Sequence, residues 1–274
     1  MLTPPSRLHG FLVRKEVRCP FLRWIRERGN LPDLTVPRAL LFRCNAISFA
    51  PDTPMKIITG TADVLPMGLL FDLACYRHRV FVQRLGWNLR TSGRMELDEF
   101  DRRDTHYVIA RDMHARIIGT ARLLPTLGPY LLADTFPQLL GTTSAPRSPC
   151  MWELSRFAAL DLDAAPCSQQ HGLASPHALD LLAATMRVAA HHGVRQLISV
   201  SPLGIERILK AAGVDCRRAG EPTTVDGRVL FACLIDVDEG WRAPGRGALA
   251  RRSFRQGHAA RRSRAPVEAG RPLQ

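Results

Sequence analysis

Within Met151-Trp152-Glu153-Leu154-Ser155-Arg156-Phe157, a carboxylate, a hydroxyl and a guanidinium follow closely inside an apolar, strand-like run. Such a carboxylate can accept a proton, and the guanidinium can clamp a carboxylate. The hydroxyl can donate to an oxygen that gains charge. Side chains alternate along a strand, which predicts Glu153, Ser155 and Phe157 on one face, with Trp152, Leu154 and Arg156 on the other. Each polar group is costly to bury unless paired. A charged edge strand that discourages aggregation would explain the pattern without any chemistry. Against it stands a second set of charges upstream. Glu96-Leu97-Asp98-Glu99-Phe100-Asp101 places four carboxylates in six residues. They repel one another unless cations or a ligand ammonium lie nearby; a solvated acidic loop is the alternative.

In chain order the sequence presents Arg77, Phe81, Trp87, Glu96, Asp98, Asp101, Arg122, Phe136, Glu153 and Arg156. The motifs are R-x-x-x-F-x-x-x-x-x-W at 77–87, E-x-D-x-x-D at 96–101, G-T-x-R-L-L-P-T at 119–126, P-Y-L-L-x-x-x-F-P-x-L-L at 129–140 and W-E-L-S-R-F at 152–157. In order and spacing this resembles the acyl-homoserine lactone synthases, the autoinducer synthases of bacterial quorum sensing. The resemblance runs from about Met55 to about Glu239. It implies an enzyme that joins S-adenosyl-L-methionine to an acyl group carried as a thioester on acyl carrier protein. The amine attacks the thioester, and the carboxylate then closes the lactone and expels methylthioadenosine (MTA). S-adenosyl-L-methionine is a substrate, and no cofactor or metal is implied.

These residue types suit that chemistry. A sulfonium and an ammonium favour acids and aromatic faces, which Glu96, Asp98, Asp101, Phe81 and Trp87 offer. Arg77, Arg122 and Arg156 can balance the acids and hold the substrate carboxylate in a planar fork. The amine must be neutral to attack, and Glu153 is the candidate base. The other reading, that Glu153 only orients an arginine, stays open. Ser155 and the backbone amides of the Arg156–Phe157 strand are candidate donors to the thioester oxygen. Phe136, Leu123, Leu139, Leu140, Ile198 and Val200 are expected to line an acyl tunnel. Ser199 and Ser201 face one side of their strand, where the family often has Thr at positions linked to 3-oxo recognition. Serine keeps the hydroxyl and loses the methyl, so chain preference stays open. Carrier protein is acidic, and Arg207 and Lys210 are the expected docking cations. Ala211 replaces the family's second basic residue, with Lys210 beside it.

Periodicity predicts the elements that must position these groups. Leu70, Leu73, Ala74, Arg77, Phe81 and Leu85 describe one helix over 69–85. Strands are expected at 106–110 and 116–124, joined at 112–115, and at 151–158, 196–201 and 229–237. Helices are expected at 177–192, ending at Gly193, and at 203–212, stopped by Gly213. Strands first and alternation later predict one mixed sheet flanked by helices. The resemblance sharpens this to a three-layer α/β/α sandwich similar to the GCN5-related N-acetyltransferase fold.

Charge divides the 274 residues into three. Residues 1–54 carry nine basic and four acidic side chains, and residues 240–274 carry nine arginines against Glu268 alone. Those excesses account for the whole net charge of +13, leaving 55–239 neutral. The 55–239 span is expected to be the synthase domain. The basic leader 1–54 is expected to be disordered or to precede a biological start at Met55. The 240–274 tail is poor in large apolar groups and is expected to be disordered. A nucleic-acid-binding reading rests on these ends alone, since the neutral middle lacks a reader helix or aromatic platform. An acyl-coenzyme A N-acyltransferase of the same fold is the other alternative. Its phosphate loop is absent after 151–158, where Leu160-Asp161-Leu162-Asp163 follows instead. No apolar run reaches the length of a membrane span. Seven cysteines without a C-x-x-C pair argue for reduced thiols in a cytosolic protein, and the resemblance implies a bacterial cytoplasm. His191-His192 is expected to cap a helix at the surface rather than bind metal.

Overall fold

The computed structural model describes residues 55–163 and 176–243. Residues 1–54 and the tail beyond 243 lie outside the described residues. Strand β1 (Lys56–Thr61) leads into helix α1 (Met67–Arg77), which continues as a π-helical segment, His78–Arg84. A short hairpin follows, β2 (Thr91–Ser92) and β3 (Met95–Glu96). Then come β4 (His106–Arg111), β5 (Ile117–Pro125), helix α2 (Leu131–Thr135) and a 3-10 turn at Pro137–Leu140. β6 (Met151–Ala159), α3 (Pro176–His191), β7 (Gln196–Pro202) and α4 (Gly204–Ala211) form the centre of the fold. β8 (Cys216–Arg218), β9 (Thr223–Val225) and β10 (Arg228–Asp236) complete it.

The main sheet runs β1-β4-β5-β6-β7-β10-β8, with β9 paired to β10. Only the β6–β7 pair is parallel, so the sheet is mixed as expected. Alternation along β4 separates two cores. Val108 and Ala110 face α3, packing with Leu179, Leu182 and Met186. Tyr107 and Ile109 face α1, packing with Leu69, Leu70 and Leu73. Helices therefore cover both faces, which makes three layers. Each fully buried leucine contributes roughly 1.5–3 kcal/mol relative to exposure. The first core continues past residue 239, because Trp241 and Ala243 pack against it.

The expected helix over 69–85 proves to be two segments. An α-helical count holds to Arg77, and then the backbone widens: the Leu85 amide donates to the Val80 carbonyl, five residues back. This wider turn buries Val80 and Phe81 together. Gly193 sits just past α3 with φ of 74°, a left-handed stop that glycine adopts without strain. Neighbouring His192 does more than lie at the surface: its ring stacks on Trp152 at 5.1 Å and meets His106 edge-on at 4.5 Å. Gly220 presses on the 3-10 turn, where an added Cβ would lie 2.2 Å from the Leu139 carbonyl oxygen.

Candidate active site

Of the four acids at 96–101, Glu96, Asp98 and Asp101 are buried and held by three arginines, and only Glu99 is exposed as the solvated-loop alternative would have it. From the end of α1, Arg77 donates Nε to Glu96 at 2.6 Å and both terminal nitrogens to Asp101 at 2.6 and 3.0 Å. From β5, Arg122 takes Asp98 bidentately at 2.6 and 3.1 Å and donates Nε to Ser155 Oγ at 3.0 Å. From β6, Arg156 bridges Glu96 and Asp98, each at 2.8 Å. Tyr107 donates its hydroxyl to Asp101 at 2.9 Å. Three guanidinium groups thus meet three carboxylates, and the frame is neutral. Burial alone would push Glu96 up, but Arg77 and Arg156 overcome it and hold its carboxyl at about 2. Arg77 and Arg122 likewise outweigh burial at Asp101 and depress it further. Buried charges survive only with such geometry. The frame opens at one edge: the Asp98 side chain keeps 11% exposure, against 0–1% for Arg77, Asp101 and Arg122.

Arg156 reaches this frame by a departure from strand alternation. Arg156 has φ of 50°, and Arg156 and Phe157 together stand opposite Ala121 alone. This β-bulge turns Arg156 onto the face of Glu153 and Ser155, with its guanidinium 5.8 Å from the centre of the Phe81 ring. Phe157 is sent to the opposite face, against the α3 core. The expected grouping of residues 152–157 is therefore reversed at its last two positions. A left-handed arginine is strained, and its three charged hydrogen bonds offset that cost.

Glu153 stands outside the neutral frame. It is fully buried, and its Oε2 accepts the Leu132 backbone N–H at 2.7 Å. Oε1 has no hydrogen-bond partner. Burial raises its carboxyl to about 7, although the Leu132 amide and Arg122 pull the other way. Glu153 also marks a fork in the sheet. β6 and β7 pair only at Met151↔Gln196, Trp152↔Leu197 and Glu153↔Ile198. Beyond these pairs the two strands continue without each other, to Ala159 and Pro202. The ladder between the two strands ends there, in the middle of the sheet.

The remaining expected residues fall on the two faces of the sheet. On the α1 side, half-exposed Trp87 lies 4.9 Å from the Phe81 ring. Phe136, Leu139, Leu140, Ile198 and Val200 form an apolar cluster on that side too. On the α3 side lie Phe157 and Leu123. Ser199 and Ser201 are there as well, opposite Cys233 and Phe231, with their hydroxyls 3.3 Å apart. The expected single tunnel wall is therefore split by the sheet. Arg207 and Lys210 lie exposed on α4, which packs in the α3 layer through Leu209. Lys210 is tied to Glu206 at 2.8 Å, and Glu206 also holds Arg218 at 2.7 Å. Tyr107 and the Leu132 amide escaped the sequence reading. A tyrosine in an otherwise apolar strand is a visible signal, whereas a backbone amide leaves none. Among the described residues no group of three or more His, Cys, Asp or Glu could hold a metal ion. Among them, no helix is long and apolar enough to cross a membrane.

Residues 68–243 match a family model described as autoinducer synthase. An acyl-homoserine-lactone synthase of Acinetobacter nosocomialis is 48% identical over 183 residues, which covers 67% of this chain and all of that protein. The crystal structure of TofI, in a ternary complex with an inhibitor and MTA, superposes with a TM-score of 0.58 at 42% identity, covering 71% of this chain and 96% of TofI. MesI, described as a CoA-dependent acyl-homoserine lactone synthase, superposes with a TM-score of 0.56 at 26% identity, covering 73% and 95%.

Proposed function

The chain belongs to the autoinducer synthase family and is an acyl-homoserine-lactone synthase, a transferase; on that premise we propose that it joins S-adenosyl-L-methionine to an acyl thioester with Glu153 as the base. The observation that carries this reading is buried Glu153 at the fork of the sheet, with one oxygen held and the other without a hydrogen-bond partner. The nucleoside substrate lies on the α1 side, between Trp87, Phe81 and the open edge of the frame at Asp98 and Arg156. Its amine points at Glu153. The acyl chain passes between β6 and β7 beyond their last pair, to Phe157, Ser199 and Ser201 on the α3 side. The amine nitrogen forms the amide bond as the carbon–sulfur bond of the thioester breaks. Glu153 takes the proton released from nitrogen and can return it to the departing thiolate. Ser155 and the backbone amides of β6 that lost their strand partner stand near the developing oxyanion. The substrate carboxylate then attacks the γ-carbon, and MTA leaves as a neutral thioether. This second step depends on proximity more than on acid–base help.

Arg77, Arg122, Glu96 and Asp101 spend their hydrogen bonds inside the buried frame, with Asp98, Arg156, Tyr107 and Ser155, and so position the site. The ammonium proton leaves to solvent first, and Glu153 can take the second proton, released as the neutral amine attacks, only when it is ionised. Activity should rise as pH passes through about 7, where Glu153 becomes a carboxylate. Trp87→Ala should raise KM for S-adenosyl-L-methionine well beyond that for the acyl donor, because it removes the exposed half of the aromatic pair. Steady-state kinetics decide this: an equal rise for both substrates would mean general loosening instead.

The donor is proposed to be acyl carrier protein, and the cytoplasm the place of synthesis. Support comes from Arg207, Lys210 and Arg218, grouped on the side where the acyl chain emerges. Arg207→Glu with Lys210→Glu should raise KM for the acylated carrier and leave KM for S-adenosyl-L-methionine unchanged. Like-charge repulsion slows encounter, and salt screens it. Unchanged use of the carrier at low salt would remove α4 as the docking face. Coenzyme A is the second reading, favoured by the likeness to MesI. An acyl-coenzyme A lacks the acidic helical surface and should respond little to this double substitution.

A further inference from the structure

We propose that Tyr130 is a positioning residue for this reaction: its buried phenol, bonded to the Pro146 carbonyl, fixes the start of α2. There the Leu132 N–H holds one oxygen of Glu153 and leaves the other free to receive the amine proton. The inference rests on the reading of Glu153 as base. Helix α2 has only five residues and no side-chain cap, so it cannot hold itself. The first amides of any helix lack partners inside it. One of them, Leu132, donates to Glu153 Oε2 at 2.7 Å. Tyr130 stands just before this helix with an extended backbone and no exposed surface. Its hydroxyl donates to Pro146 at 2.7 Å, and its carbonyl accepts the Asp134 amide at 3.1 Å. Tyr130 thus ties α2 to the loop that leads into β6, the strand of Glu153. That loop is pinned further by Thr126, whose hydroxyl accepts the Ser148 amide at 3.1 Å and donates to Met151 at the start of β6 at 2.7 Å.

Glu153 also faces Arg122 from β5 and Asp98 from the acidic loop, with Ser155 from its own strand. Tyr130 in turn faces Glu153 itself, and then Arg147 and Asp134. Arg122 and Asp98 sit on elements that the Tyr130 hydroxyl does not touch, so its removal should act through α2. A hydrogen bond to a carboxylate favours the charged form. Loosening α2 should therefore make Glu153 harder to ionise.

The test compares kcat against pH in the full-length protein for two variants. Tyr130→Phe keeps the ring and loses the anchor. An amide-to-ester exchange at residue 132, made by incorporating the α-hydroxy analogue of leucine, deletes only the N–H. The ester should move the acidic limb of the profile up by about one pH unit, the scale of a charge-assisted hydrogen bond. Tyr130→Phe should move it in the same direction by a smaller amount, with turnover recovering at high pH and both KM values unchanged. A limb that stays in place in Tyr130→Phe, whether or not the ester moves it, would make Tyr130 a packing residue and overturn the proposal. Failure of the base reading looks different: Glu153→Gln would then keep its turnover.

Discussion

Glu153→Gln should cut turnover by roughly two or more orders of magnitude, the usual scale for loss of a general base, in a protein that stays folded. Glutamine keeps an oxygen to accept the Leu132 amide, so the contact that seats the side chain survives. What disappears is basicity at the unpartnered oxygen. The stability consequence has a definite sign. The folded carboxyl titrates at about 7, above its ordinary value. Its contribution to stability is therefore complete below the ordinary carboxylate range and is lost as pH rises through 7. Glutamine does not titrate. The melting temperature of the variant should gain on that of the parent between pH 5 and pH 9. Near-normal turnover would discard the base role. A large fall in melting temperature at neutral pH would make Glu153 a structural residue.

Arg77→Ala should have the largest effect on stability. Arg77 is 1% exposed and holds both Glu96 and Asp101. Its removal leaves two buried carboxylates short of their principal cation, which costs about 3–5 kcal/mol. For a domain of this size that lowers the melting temperature by about 10 °C. Arg77→Lys should rescue it only in part, because an ammonium cannot span two carboxylates in a planar fork. Acid should expose the same frame. Glu96 and Asp101 are held below their ordinary values, so their stabilisation is present above that range. It drains away as pH falls towards about 2. Thermal melts across pH 2–7 would show that slope in the parent and a flatter one in Arg77→Ala. An inactive Arg77→Ala protein that melts like its parent would mean that Arg77 touches substrate rather than frames the site.

Most of the secondary structure could be read from periodicity, because the strands at 106–111, 117–125, 196–202 and 228–236 and the helix at 176–191 have clear apolar patterns. Where that reading erred, one local irregularity changed a global outcome. Arg156 adopts a left-handed backbone, and that single residue exchanges the faces of Arg156 and Phe157. Nothing in W-E-L-S-R-F announces it. The π-helical segment carries apolar residues that also suit an α-helix, and only its i→i−5 bonding separates the two. Four acids in six residues call for nearby cations, but which ones is not local: Arg77, Arg122 and Arg156 reach Glu96, Asp98 and Asp101 from three distant elements. The fork beside Glu153 belongs to the β6–β7 ladder, a long-range pairing without a local signature. Ser199 and Ser201 do share one side, as alternation predicts. Which side that is depends on the sheet order.

The account is tested most directly by giving the purified full-length protein S-adenosyl-L-methionine with either acylated carrier protein or the matching acyl-coenzyme A, and following products by mass spectrometry. The result expected is acyl-homoserine lactone and MTA in equal amounts, formed faster from the carrier, with Glu153→Gln giving almost none of either. Lactone formed as readily by Glu153→Gln as by the parent, with either thioester, would contradict it.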